Sequence, residues 1–307
     1  MEVKEWTYEE FPEYEGCPEG ALRIPSTGNE IGVTYIPDVE YAVVDGVHLH
    51  LQILKPATRS EPFKTYPCVV YVQGSAWMEQ DVYGELASVA ELARRGYVLA
   101  VVQYRHSRQA HFPAQIQDMK NAVRFMKLNA VKYGVNPEQV IAAGSSSGGH
   151  TAMFGSIIKD YDIDDRNMFP FPGINAKVKG IIDYYGSVSL MMEDGNPTTV
   201  NHKLPWSPEG MLMDANLREH TELAEKATVV THIVPELDMP PVCIFHGTKD
   251  LIVNTKQSVE LYEKLKACGK DVRLYLIEGA SHGGGEFWSK EVVDKADEFI
   301  QYCLNKQ

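Results

Sequence analysis

The sequence predicts an α/β fold organised on one mostly parallel sheet, and three observations point there. From Cys68 onward, short apolar runs rich in Val and Ile alternate with helix-patterned segments. Continuous apolar runs of this length suit strands covered on both faces. An alternating, turn-linked pair of stretches precedes them, as an antiparallel hairpin at a sheet edge would. Finally, a serine set between glycines stands where a strand pattern gives way to a helix pattern. Alternation of strand and helix after an opening hairpin implies crossover connections and a single sheet.

The elements follow in order. An acidic, aromatic arm occupies residues 1–30. Two strand-like stretches, about Val33 to Val43 and His48 to Leu54, flank a turn at Val44-Asp45-Gly46. Further strands are expected at Cys68–Val72, Tyr97–Gln103, Val140–Ala143, Val178–Tyr184, Val242–Phe245 and Val272–Ile277. Pro113 opens a helix whose apolar residues Ile116, Met119, Val123 and Met126 keep helical spacing, and Gly134 and Pro137 stop it. A second helix is expected from about Thr255 to Cys268, ended by Gly269, and a third from about Phe287 to Leu304. Between Ser187 and Met239 the rhythm breaks. This stretch holds only short helical patterns such as Asn216–Lys226 and is too long for an ordinary connection. An inserted cap or lid over about 187–239 is expected, within one domain spanning 1–307.

Composition limits what the chain does. Of its 307 residues 44% are apolar and 23% charged, which is ample for one core. No apolar run reaches the roughly 18 residues of a membrane span. The stretch from Met1 to Gly16 lacks the basic-then-apolar pattern of a signal peptide, so a cytoplasmic protein is expected. With 42 acidic against 29 basic residues the net charge is −13, which argues against nucleic acid and membrane partners. The five cysteines show no metal-like spacing, and their odd count favours reduced thiols. Cys68 and Cys243, inside strand patterns, are expected to be buried.

The chemistry centres on Gly144-Ser145-Ser146-Ser147-Gly148, a G-x-S-x-G pattern between the strand Val140–Ala143 and a helix over Gly148 to Ile158. A serine on such a sharp turn exposes its Oγ near a helix N-terminus, which favours developing negative charge. The five-residue pattern alone is weak, and a second copy exists at Gly279-Ala280-Ser281-His282-Gly283. That copy runs into Gly284 and Gly285, poor helix starters, and no acid and histidine follow it in order; it is a decoy. A serine hydroxyl needs an imidazole to take its proton and a carboxylate to hold the imidazole's tautomer. The order serine, acid, histidine is met by Ser146, Asp250 and His282, the last two at the C-terminal ends of strands, where open α/β sheets gather their sites.

Several of these residues have competing roles. Asp250 alternatively caps the helix near Thr255, and Asp238 and Asp271 are weaker acids. His150 is expected to pack beneath the elbow, and His246 to hydrogen-bond locally. His106 and His111 lie in a loop where a substrate contact is open. The oxyanion formed in acyl transfer needs donors. They are expected from the backbone N–H of Ser147 and from Gly74 and Ser75 in the loop Gln73-Gly74-Ser75-Ala76-Trp77. Trp6, Tyr8, Phe11 and Tyr14 of the arm, with Trp206 of the insertion, either wall the pocket or serve packing or self-association.

These motifs together resemble the esterase/lipase branch of the α/β-hydrolase superfamily, the branch with an HGGGW-like loop. Gln73–Trp77 stands where that family has His-Gly-Gly-x-Trp. Tyr104-Arg105 followed by Phe112-Pro113-Ala114-Gln115, with Asp118 in the next helix, resembles its "YR…FPA" segment, and Gly144–His150 its elbow. The likeness runs from about Val33 to the C-terminus and is nearest to small bacterial acetyl- and feruloyl-esterase-like proteins, with arylformamidases nearby. The resemblance implies an eight-stranded sheet and hydrolysis of carboxylic esters through an acyl-enzyme, with neither metal nor organic cofactor. Short-chain or aromatic acyl esters are the expected substrates, acylated sugars among them. An amide hydrolase (arylformamidase or small peptidase) is the alternative, and a non-catalytic binding protein of the same fold the third reading. Gln73 and Ser75 depart from the family's His and Gly.

Overall fold

The computed structural model describes residues 3–159, 171, 173–191 and 196–306. Its centre is an eight-stranded sheet in the order β1-β2-β4-β3-β5-β6-β7-β8. β1 (Gly32–Val44) and β2 (Val47–Ala57) form the expected hairpin. Its two turn residues, Asp45 and Gly46, have φ of 51° and 80°. Positive φ at both positions gives the tight turn whose twist matches the flanking strands. β2 runs antiparallel to β4 (Val98–Val102). All remaining pairs, through β3 (Tyr66–Val72), β5 (Val135–Ser145), β6 (Gly180–Tyr184), β7 (Val242–Gly247) and β8 (Val272–Ile277), are parallel.

The apolar runs are explained by burial on both sides. Along β3, Cys68, Val70 and Val72 point to the layer of α2 (Ala114–Leu128), meeting Met119, Val123 and Met126. Val69 and Tyr71 point the other way, toward Val89 and Leu92 of α1 (Leu86–Ala93) and Phe299 of α8 (Lys290–Asn305). Successive side chains of a strand alternate in this way, so a doubly covered strand must be apolar throughout. Arg105, just past β4, is buried and ion-paired to buried Asp118 of α2 at 2.9 Å. That pair fixes the loop after β4 to the helix layer.

Several boundaries differ from expectation. β5 begins at Val135, because Val135 pairs with Tyr66 ahead of an irregularity in the ladder. The short α3 (Ala130–Tyr133) precedes it, and Gly134, with φ of 67°, ends that helix. α8 starts at Lys290 rather than Phe287, since a 3-10 turn over Gly285–Trp288 intervenes and Ser289 caps the helix. α7 spans Lys256–Ala267.

The insertion between β6 and β7 contains α5 (Pro208–Met213), α6 (Thr221–Lys226) and a 3-10 turn at Val229–His232; residues 192–195 lie outside the described residues. Leu190, Leu212, Leu217, Ala224 and Ala227 of this segment pack around Trp77. The insertion therefore sits on the loop that follows β3. The arm contributes little to the core: Tyr8 is 65% and Tyr14 74% exposed, as is Trp206 of the insertion at 73%. Within one chain, these aromatics form no buried wall.

Candidate active site

The strand order positions the site. β3 has β4 on one side and β5 on the other, so the connections leaving β3 and β4 run to opposite sides. Such a reversal opens a crevice at the C-terminal strand ends. The loop Gln73–Trp77 and the turn after β5 meet there.

Ser146 occupies that turn with φ of 52° and ψ of −123°, between the end of β5 and α4 (Ser147–Ile157). The glycines around it answer to close contacts. A Cβ on Gly144 would strike the carbonyl oxygen of Gly148, and one on Gly148 would strike that of Val72. A Cβ on Gly74 would run into Ser146 itself, so the loop after β3 lies directly against the nucleophile turn. The Ser146 N–H donates to Tyr184 O at 2.9 Å, anchoring the turn to β6.

His282 and Asp250 arrive on two loops tied to each other. Gly279 N–H donates to Thr248 Oγ1 at 2.8 Å, and Lys249 N–H to Ala280 O at 2.9 Å. Gly247 permits this approach, since a Cβ there would collide with Ala280 O. The result is a continuous chain of hydrogen bonds. Ser146 Oγ lies 2.8 Å from His282 Nε2, and His282 Nδ1 lies 2.7 Å from Asp250 Oδ2. The carboxylate on Nδ1 demands a proton there, which leaves Nε2 bare to accept one from the serine. Tyr185 presents its ring edge-on to His282, centroids 4.9 Å apart.

Asp250 does not cap α7. Its Oδ1 accepts the N–H groups of Ile252 and Val253 at 2.8 and 2.9 Å. Burial pushes this carboxyl up, but hydrogen bonds from His246 and His282 outweigh it and hold the group well below the usual carboxylate range. The acid is therefore ionised. Asp271, the weaker acid candidate, pairs instead with Lys306 at 2.6 Å.

Two of the expected oxyanion donors, the N–H groups of Gly74 and Ser75, already have partners. Gly74 N–H donates to Ser145 Oγ at 3.0 Å, and Ser75 N–H to Ser147 Oγ at 2.9 Å. The two serines flanking Ser146 thus engage both loop donors. Ser145 is itself 3.4 Å from half-buried Glu85, which Tyr71 also contacts. The sequence displays three consecutive serines, but side-chain rotamers decide which N–H groups they occupy, and spacing carries no record of rotamers.

His106, His111, His150 and His246 each have partners outside the serine–histidine contact. His150 is buried, donates to Ala227 O of the insertion at 2.8 Å and packs edge-on against Trp77. Burial pushes its imidazole down to about 4, so it is neutral. His111 reaches Met211 O at 3.0 Å, and His106 Nδ1 accepts from Arg108 N–H. Both are engaged in loop and insertion contacts. His246 is buried and lies 3.1 Å from Asp250, a contact missed in the sequence although the two residues are only four apart.

A sheet of this order, with a serine on a strained strand–helix turn joined to a histidine and an acid, defines an α/β-hydrolase. The chain belongs to the BD-FAE family, whose model matches residues 51–265. Among curated proteins it is 25% identical over 226 residues to Esterase LipC of Mycobacterium tuberculosis, covering 72% of this chain and 54% of that protein. It is equally 25% identical over 234 residues to a probable isoprenylcysteine alpha-carbonyl methylesterase, ICMEL1, of Arabidopsis thaliana, covering 70% of this chain and 45% of that one. The chain spans about half the length of these relatives. Among solved structures it is similar to a truncated carbohydrate esterase from gut microbiota, with a TM-score of 0.76, 23% identity and coverage of 92% of this chain and 99% of the other. It is also similar to propionate-bound Est2, an esterase of Thermogutta terrifontis, with a TM-score of 0.68, 24% identity and coverage of 92% and 97%. Among the described residues, no helix is long and apolar enough to cross a membrane.

Proposed function

We propose that this chain hydrolyses carboxylic esters through an acyl-enzyme on Ser146. The reading rests on one observation above others: hydroxyl, imidazole and carboxylate stand in a single line of hydrogen bonds at 2.8 and 2.7 Å. His282 Nε2 takes the Ser146 proton as Oγ attacks the ester carbonyl carbon. The resulting oxyanion is held by the N–H of Ser147, with Gly74 and Ser75 N–H joining as the flanking serine hydroxyls rotate aside. The tetrahedral adduct collapses, the C–O bond to the alcohol breaks, and the leaving oxygen takes the proton back from His282. Water then attacks the acyl-enzyme by the same route and releases the acid.

Substrates on this reading carry short-chain or aromatic acyl groups, and acylated sugars belong among them because a protein of similar fold is a carbohydrate esterase. The insertion acts as the cap over the acyl group, supported by its packing on Trp77 beside the oxyanion loop. Five free thiols fit a reducing compartment, the cytoplasm.

Two assays test the proposal. Ser146→Ala should abolish turnover of p-nitrophenyl acetate while the far-UV circular dichroism stays that of the parent; retained turnover refutes it. Rates on acetyl esters should exceed those on N-formyl anilides, and the reverse order makes the chain an amide hydrolase.

A further inference from the structure

Asp250 carries two imidazoles on one oxygen. Its Oδ2 lies 2.7 Å from His282 Nδ1 and 3.1 Å from His246 Nε2. His246 sits on β7 and is fully buried. Its Nε2 also lies 3.0 Å from Val253 O, and its Nδ1 lies 2.7 Å from Ser258 Oγ on α7. These partners fix the proton. Nε2 faces two acceptors, Val253 O and Asp250 Oδ2, so it must carry hydrogen whether the ring is neutral or charged. Nδ1 faces a hydroxyl that serves as donor or acceptor. A buried N–H donor is therefore always aimed at the acid.

We infer that His246 is a positioning residue for acyl transfer, holding Asp250 by the oxygen that His282 also uses. This rests on the proposed triad. The two backbone N–H groups on Oδ1 and the two imidazole N–H groups on Oδ2 fill the carboxylate's acceptor sites. The acid then has no rotation available that keeps its partners, and His282 is presented to Ser146 in one orientation. The charged and titratable neighbours of His246 are Asp250 from the loop after β7 and Asp183 from β6. Asp183 is fully buried. Burial pushes that carboxyl up to about 7 even though His246 pulls it down.

Two substitutions separate positioning from mere packing. His246→Asn places an amide near Nδ1 and keeps the Ser258 partner without reaching Asp250, whereas His246→Gln extends an N–H donor to the Nε2 position. Kinetics on p-nitrophenyl acetate should show kcat lowered roughly 10-fold to 100-fold in His246→Asn, as for other groups that orient a catalytic ligand. KM should be little changed. The acid limb of kcat/KM should move to higher pH, because Asp250 then gives its whole charge to His282. His246→Gln should recover most of kcat. Equal kcat and equal pH profiles in both variants, whatever their thermal stability, overturn the inference. An inactive parent enzyme overturns the proposed function instead, so the two failures are distinguishable.

Discussion

Ser146 is held in a backbone conformation that costs a non-glycine residue on the order of 1–3 kcal/mol, and it persists only because its surroundings over-determine it. Those surroundings are the glycine contacts at 74, 144 and 148 and the hydrogen bond to Tyr184 O. At this scale Asp250 is the most consequential acid. Its carboxyl is lower in the fold than in the open chain, so its contribution to stability is present above the ordinary carboxylate range. That contribution is lost as pH falls through the depressed value. Asp250→Asn should keep the contacts of Oδ1 while presenting an amide to His282, which favours the wrong imidazole tautomer. We expect kcat on p-nitrophenyl acetate to fall by about 10⁴-fold at neutral pH, the loss typical of this change in a Ser-His-Asp site. A loss under ten-fold would mean that Asp250 does not orient the histidine.

At the scale of elements, the insertion is fastened to the loop that carries Asp250. Thr199 N–H donates to Leu251 O at 2.8 Å, and Asn254 Nδ2 donates to Pro197 O at 3.0 Å. His202 completes the latch. Its Nδ1 lies 2.6 Å from buried Glu209 and its Nε2 lies 3.0 Å from Ile252 O. Both ring nitrogens face acceptors, so the doubly protonated ring serves both. Burial alone would depress this imidazole, but the hydrogen bond and charge of Glu209 outweigh it and raise the group above its ordinary value. A raised imidazole stabilises fully below its unfolded pKa of about 6.5 and loses that stabilisation as pH rises through the folded value. Glu209→Gln should therefore lower Tm by roughly 2 °C or more at pH 6, with the gap to the parent closing by pH 9. An equal Tm deficit at both pH values would contradict the latch.

For the whole molecule, the sheet was legible because β3, β4 and the stretch Val140, Ile141, Ala142 and Ala143 of β5 are buried on both faces and apolar, and polar residues are few in β6 and β7. Ser146, Asp250 and His282 were legible because each ends a strand pattern in the order the fold requires. The structure brings all three together. What escaped was the part written in side-chain orientation. His246 bonds to Asp250 only because the loop after β7 folds back over Val253, and Ser145 and Ser147 reach the Gly74 and Ser75 N–H groups only through their rotamers. The arm's aromatics were ambiguous in the sequence, and in the fold Trp6, Tyr8, Phe11 and Tyr14 are exposed rather than packed into the core.

The central claim is that one serine hydroxyl is activated by the histidine–acid pair behind it. A fluorophosphonate probe followed by intact-mass and peptide analysis measures this directly. The account predicts one adduct per chain, on the peptide containing Ser146, absent in Ser146→Ala and formed far more slowly in His282→Gln. An unlabelled parent protein, or an adduct on any other serine, would contradict it.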